Sequence, residues 1–220
     1  MTFQPKGIIP AMVTPVTKDG KINMEALRKL TNYLIEGGVH GLFPVGSQGE
    51  FYALTFEEKK KVLEVVVDEA RGRVPIYAGT GAITTREAIS LTKMAESAGV
   101  SAVSVLTPFF IHPNETELFE FYSAIAKATR LPVLLYNNPA RTGVTISTNF
   151  VVRASTIENI VGIKDSSGDL TLTAEYIRRT DETFSVLAGR DTLIYGTLCY
   201  GGKGAIAATA NVAPKVIVEI

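Results

Sequence analysis

The residue of this sequence best suited to covalent chemistry is a lysine at the end of an apolar run. Residues 160–163 (IVGI) have the β-branched character of a buried strand, and Lys164 follows them directly. An ammonium group taken out of water is costly, so such a position favours a neutral, nucleophilic amine that can form a Schiff base with a carbonyl compound. The alternative is that Lys164 extends to solvent and pairs with Asp165 or Asp169.

A second candidate is the turn Gly46-Ser47-Gln48-Gly49, which follows another apolar run. Glycines around a hydroxyl residue free backbone N–H groups to point at an anion, and the Ser47 hydroxyl adds one more donor. The turn therefore predicts a site for a substrate carboxylate, with Gly46 and Gln48 beside Ser47. The same pattern also occurs in ordinary turns that bind nothing.

Tyr136 and Arg141 stand at and after the end of a further apolar run, and Gly189 follows another. A tyrosine can relay protons between a substrate oxygen and water, and an arginine can bind a carboxylate with two parallel hydrogen bonds. Gly189 permits a close approach of the backbone to a ligand. Taken singly, Tyr136 could equally be a wall residue and Arg141 a solvated loop charge.

The elements that must position these residues alternate between apolar runs and amphipathic helical segments along the whole chain. This pattern predicts one domain over residues 1–220, a (β/α)8 TIM barrel with reactive groups at the carboxyl ends of its strands. A doubly wound open sheet is the alternative, but no G-x-G-x-x-G follows the first strand. The predicted strands are 7–12, 41–45, 75–78, 102–106, 132–136, 160–164, 184–187 and 204–208.

Composition excludes several classes of function. Lys+Arg and Asp+Glu both number 22, so no global field favours nucleic acid or an anionic membrane. The first residues lack the apolar core of a signal peptide and no apolar run could span a bilayer, which predicts a cytoplasmic protein. With two histidines far apart and one cysteine, we expect no metal and no cofactor, and we expect Cys199 to be a buried thiol.

Four motifs together resemble the dihydrodipicolinate synthase/N-acetylneuraminate lyase family, in its order and spacing. These motifs are Gly46-Ser47-Gln48-Gly49-Glu50, Tyr136-Asn137-Asn138-Pro139-Ala140-Arg141-Thr142-Gly143, Gly162-Ile163-Lys164-Asp165-Ser166-Ser167-Gly168 and Thr209-Ala210-Asn211-Val212. The resemblance implies a (β/α)8 barrel enzyme, assembled as a dimer or tetramer. Its members form an imine between lysine and pyruvate or a related 2-oxo acid, and then make or break a carbon–carbon bond with an aldehyde.

The resemblance also implies roles for individual residues. Lys164 matches the Schiff-base lysine, and Tyr136 matches the proton-transferring tyrosine. Ser47 matches the hydroxyl residue of the family's Gly-[Ser/Thr]-x-Gly-Glu turn. Arg141 matches the arginine that grips the carboxylate of the aldehyde partner in the synthase branch. Ile206 matches the position whose backbone carbonyl faces the lysine.

The sequence departs from the family pattern at three places. Gln48 stands where synthases commonly carry threonine, and Phe109 and Phe110 replace a tyrosine pair that completes a hydroxyl relay across a subunit interface. The chain also ends within the expected eighth helix, so the family's further C-terminal helices are expected to be missing. Besides a 4-hydroxy-tetrahydrodipicolinate synthase, the alternatives are a 2-keto-3-deoxy sugar acid or N-acetylneuraminate-type aldolase, a catalytically impaired 2-oxo acid binding protein, and an inactive fragment.

Overall fold

The strands of the computed structural model, which describes residues 3–220, form one parallel sheet. The sheet order is β1-β7-β6-β5-β4-β3-β2, so each strand from β2 to β7 lies beside the next one in sequence. The strands are β1 (Gly7–Pro10), β2 (Tyr77–Gly79), β3 (Ala102–Leu106), β4 (Val133–Asn137), β5 (Ile160–Asp165), β6 (Ser185–Ala188) and β7 (Gly204–Ala207).

The gap between β1 and β2 is filled by the segment predicted as the second strand. Phe43 forms a parallel bridge to Ala11 and Leu42 forms one to Ile76, so this segment joins the two edges of the sheet and completes the barrel. Its predicted extent over residues 41–45 is wrong, because only two residues pair. The physical reason is that Val45 has a left-handed φ of 58°, which turns the chain out of the extended conformation.

Helices follow the strands around the outside of the barrel. They are α1 (Met24–Glu36), α2 (Phe56–Ala70), α3 (Thr85–Ser97), α4 (Glu115–Lys127), α5 (Pro139–Thr142), α6 (Thr148–Ala154), α7 (Leu170–Arg179), α8 (Ile194–Cys199) and α9 (Pro214–Val218). Short 3-10 helices span Ser47–Gly49, Phe51–Ala53, Asp191–Leu193 and Thr209–Asn211. Cys199 is exposed at the end of α8, so the prediction of a buried thiol is wrong. It is the last residue of a six-residue helix, whose buried side is formed by Ile194 and Thr197.

Apolar side chains form two main clusters, one inside the barrel and one between the barrel and its helices. A compact inner cluster includes Phe43, Tyr77, Leu134, Leu187 and Ile206, which close the barrel interior. A larger cluster packs the outer faces of the strands against the helices. Because the inner cluster fills the centre, inward-pointing residues at the carboxyl ends of the strands are left facing an open cavity.

Two further observations concern residues 3–220. No helix among them combines the length and apolar character needed to cross a membrane. In the same residues, no group of three or more His, Cys, Asp or Glu side chains could hold a metal ion.

Candidate active site

A large cavity of the barrel opens at the carboxyl ends of the strands. Its volume is about 610 Å³. Seven of the eight residues predicted to act on substrate line it, namely Lys164, Tyr136, Ser47, Gln48, Arg141, Gly189 and Ile206. The structure therefore brings together, in one cavity, residues that lie up to 159 positions apart in sequence, from Ser47 to Ile206.

Lys164 lies on β5 with only 4% of its surface exposed. It is directly opposite Tyr136 of the neighbouring β4 in the parallel ladder. Its Nζ lies 4.1 Å from the centre of the Tyr136 ring and 5.0 Å from that of Phe43. Within residues 3–220 the Lys164 amine has no carboxylate in salt-bridge range, so the alternative of pairing with Asp165 or Asp169 is not seen.

The hydroxyl of Tyr136 is held in the same cavity. Asn138 Nδ2 donates a hydrogen bond of 3.1 Å to it. Burial raises the pKa of Tyr136, but the positive charge of Lys164 and the polar groups of Ser47, Lys164 and Asn138 outweigh it and lower the pKa from 10.0 to about 8. A tyrosine with such a pKa can both give and accept a proton near neutral pH.

The turn after the bridging segment places Ser47 and Gln48 at the cavity wall. Ser47–Gly49 forms a 3-10 helix, in which Gly49 N donates to Gly46 O. Gly46 itself does not line the large cavity. It lies behind the wall, where a Cβ atom would come within 2.7 Å of the Phe43 ring, so its small size allows the turn to pack against the barrel.

The ends of β4 and β5 are tied together below the cavity by a buried carboxylate. Asp165, which is 4% exposed, accepts hydrogen bonds from Asn137 Nδ2 (3.0 Å), Ser167 N (3.0 Å) and Thr173 Oγ1 (2.6 Å). The Ser167 hydroxyl donates a further one of 2.9 Å. These bonds fix the residues that follow Tyr136 and Lys164 and so hold the two reactive side chains in register.

Because Asp165 satisfies four buried or half-buried donors, replacing Asp165 with Ala should destabilise the fold. We expect the free energy of unfolding to fall by about 2–4 kcal/mol, because each donor loses its partner away from water. Urea denaturation of the variant measures this loss. Asp68→Ala is the matched control, since the Asp68 side chain is 68% exposed and its removal should cost less than about 1 kcal/mol. Equal effects of the two substitutions would contradict a structural role for Asp165.

Sequence reasoning missed several residues of the cavity. The missed wall residues are Ala11, Asn138, Ala140, Ser166, Arg190, Asp191, Thr192 and Ala208. Asn138 is the most informative of them, because it holds the Tyr136 hydroxyl. Its position directly beyond the end of β4 is the signal that could have identified it.

The phenylalanine pair after β3 places no hydroxyl near Tyr136. Phe109 packs edge-on against Phe51 with 5.9 Å between ring centres, while Phe110 is 90% exposed. His112 is exposed and does not line the cavity. Within the part of the chain that the structure describes, Ser47 and Asn138 are the polar neighbours left to Tyr136 besides Lys164.

A sequence profile of the dihydrodipicolinate synthetase family matches residues 4–220. This chain belongs to that family. It is 43% identical over 222 residues to a protein of Methanopyrus kandleri named 4-hydroxy-tetrahydrodipicolinate synthase, an alignment that covers 100% of this chain and 74% of the relative. The predicted family and the predicted TIM barrel are therefore both confirmed.

Solved structures of family members have the same fold. The chloride-inhibited dihydrodipicolinate synthase from Acinetobacter baumannii, complexed with pyruvate, is 42% identical with a TM-score of 0.96, and the match covers 97% of this chain and 74% of that one. A prophage protein of the same family from E. coli K12, also in complex with pyruvate, is 37% identical with a TM-score of 0.95, over 97% of this chain and 73% of that one.

Proposed function

We propose that this family member joins pyruvate, or a related 2-oxo acid, to an aldehyde through an imine on Lys164, as a 4-hydroxy-tetrahydrodipicolinate synthase-like enzyme. One observation carries the proposal: the buried Lys164 amine lies 4.1 Å from the Tyr136 ring, inside an open cavity. The names of its relatives and the pyruvate complexes of its structural neighbours support the same activity.

The first step is formation of the imine. The Ser47 hydroxyl and the backbone N–H groups of the Ser47–Gly49 turn bind the carboxylate of the 2-oxo acid. The Lys164 ammonium gives a proton to the Tyr136 phenolate, the amine so formed attacks the ketone carbon, and the resulting carbinolamine loses water as its hydroxyl is protonated. Tyr136 exchanges these protons, because its lowered pKa of about 8 lets the phenol and the phenolate interconvert readily.

The second step forms the carbon–carbon bond. Loss of a proton from the methyl carbon of the imine gives an enamine, and the protonated imine nitrogen accepts the electron pair. The enamine carbon attacks the aldehyde carbon, and the aldehyde oxygen takes up a proton. Hydrolysis of the new imine consumes one water molecule, releases the product and restores the free Lys164 amine. Arg141, at the cavity wall, is proposed to bind the carboxylate of the aldehyde.

A second candidate is supported by Gln48, which lines the cavity where synthases commonly carry threonine. Its amide can bond sugar hydroxyls, which favours a 2-keto-3-deoxy sugar acid aldolase. A product screen separates the two candidates: pyruvate is incubated with aspartate semialdehyde, N-acetylmannosamine and short hydroxy-aldehydes in turn. A product from aspartate semialdehyde alone supports the synthase, whereas one from sugar aldehydes alone supports the aldolase. Imine formation without a product from any partner would indicate a binding protein.

We also propose that the protein is a homo-oligomer, dimer or tetramer, through exposed apolar side chains in the loops after the bridging segment and after β3. Tyr52, Phe110 and Ile111 are 70%, 90% and 48% exposed, and such large apolar surface is typical of a subunit contact. Substituting Phe110→Asp should shift the protein to a smaller species, because association would bury the new charge. Light scattering after size exclusion measures this shift, with exposed Tyr200→Asp as the control. An unchanged mass would contradict an interface at Phe110.

A further inference from the structure

Two arginines line the same cavity as Lys164. Lys164 lies on β5, Arg141 follows the neighbouring β4 and Arg190 follows the other neighbour, β6. All three line the same cavity. The family resemblance implies a role for Arg141, but it assigns none to Arg190.

Arg190 is oriented by two contacts with the loop after β5. Its Nε donates a hydrogen bond of 3.3 Å to Ser166 O. Its side chain also crosses Gly168, where a Cβ atom would lie 3.1 Å from Nε and 3.4 Å from Cζ. These contacts use one edge of the guanidinium. Within residues 3–220, its terminal nitrogens make no hydrogen bond or salt bridge and remain available to a ligand.

Asp191, the only carboxylate among the wall residues that the structure describes, forms no salt bridge with Arg190. Asp191 accepts hydrogen bonds from Ala208 N (3.1 Å, at Oδ1) and from Thr209 N (2.6 Å, at Oδ2). Both of its oxygens are thus engaged in holding the loop after β7. The wall therefore presents the two guanidinium groups of Arg141 and Arg190 against one carboxylate, which favours an anionic ligand.

We propose that Arg190 is a second anion-binding residue of the cavity, which holds an acidic group of the aldehyde partner at the end remote from its carbonyl. This inference rests on the proposed function and narrows its substrate class. The partner is an anionic aldehyde bearing a carboxylate or a phosphate, and neutral sugar aldehydes are poor partners. A guanidinium suits either oxyanion, because its paired N–H groups match two oxygens.

The test compares aldehydes that differ mainly in the acidic group. One pair is succinic semialdehyde and butanal, and the other is glyceraldehyde 3-phosphate and glyceraldehyde. In Arg190→Gln, we expect KM for the anionic member to rise about 10- to 100-fold, the range for loss of a hydrogen bond to a charged group, with the neutral member changed less than about twofold. Arg190→Lys should recover part of the loss, since it keeps the charge without the paired donors. The pair that shows the larger effect identifies carboxylate or phosphate.

Arg130→Gln is the matched control, because Arg130 is an exposed arginine that precedes β4 at the opposite end of the barrel. It should leave the KM values for both members of each pair unchanged. An equal loss for charged and neutral aldehydes in Arg190→Gln, or no loss for either, overturns the proposal. Arg141→Gln is assayed in parallel to show whether the two arginines bind the same group. If KM for the anionic aldehydes rises only in Arg141→Gln, the proposed role of Arg190 is also overturned.

A binding measurement covers the case in which none of the four aldehydes is turned over. Succinate and inorganic phosphate are titrated calorimetrically into the protein saturated with pyruvate. We expect at least one to bind, with affinity about tenfold lower in Arg190→Gln. Anion binding that does not depend on Arg190 contradicts the proposal, as does no binding. Borohydride trapping of pyruvate keeps the two claims apart: without an adduct the proposed function fails, whereas an adduct with unchanged anion binding in Arg190→Gln refutes only the role of Arg190.

Discussion

Replacing Lys164 with Met is expected to abolish imine formation and to lower kcat by about 10³-fold or more, since a thioether cannot attack a ketone. The substitution should not unfold the barrel. The Lys164 side chain is buried against the rings of Phe43 and Tyr136, and methionine fills a similar volume without a charge to desolvate. The measurements are steady-state kinetics, and thermal unfolding to confirm the fold.

Lys127→Met is the control for this substitution, because Lys127 is an exposed lysine in the last turn of α4. It should retain full activity and full adduct formation. Substantial turnover by the Lys164→Met variant would mean that another group forms the covalent intermediate, or that no covalent intermediate is needed.

The second large effect is expected for Tyr136→Phe. Loss of a positioned acid–base group typically lowers rates by about 10²–10⁴-fold, and we expect kcat to fall within that range. The KM for pyruvate should change little, because the Ser47–Gly49 turn, and not the phenol, is proposed to bind the carboxylate. Tyr195→Phe, which alters a tyrosine that is 71% exposed, is the control and should be fully active. A Tyr136→Phe enzyme with wild-type kcat would contradict proton transfer by Tyr136.

The pH dependence follows from the sign of the Tyr136 pKa shift. Its pKa is lowered to about 8, so the phenolate forms as pH rises through 8 and not through the ordinary value of 10.0. If the phenolate is the base, kcat/KM should rise through about pH 8 and then level off, and this limb should be absent in Tyr136→Phe. In Lys164→Met, ultraviolet titration should show the phenol ionising at higher pH, because burial then acts without the opposing charge.

The barrel was predictable because its strands are marked by continuous apolar runs. β3 has the predicted bounds, and β5 differs from its prediction only in including Asp165. Knowing that parallel strands end at one face was then enough to place Lys164 and Tyr136 together. The second strand was not predicted correctly, because Val45 has a left-handed backbone. A β-branched residue rarely adopts this conformation, so the sequence gives no indication of it.

The loops were less predictable than the strand ends. Gly46 was predicted to bind substrate, yet it lies behind the cavity wall against Phe43. No role was predicted for Asn138 or Arg190, although both line the cavity. Whether a loop side chain reaches the cavity depends on contacts between distant segments, such as that of Arg190 with Ser166, and local sequence patterns do not encode these contacts.

Borohydride trapping shows whether Lys164 forms an imine with a 2-oxo acid. The folded protein is incubated with pyruvate, reduced with borohydride, digested and mapped by mass spectrometry. We expect one reduced pyruvate adduct, located on Lys164, that requires pyruvate and is absent from the Lys164→Met variant. No adduct on Lys164 in folded protein, or an adduct on another lysine that persists in Lys164→Met, would contradict imine formation by Lys164.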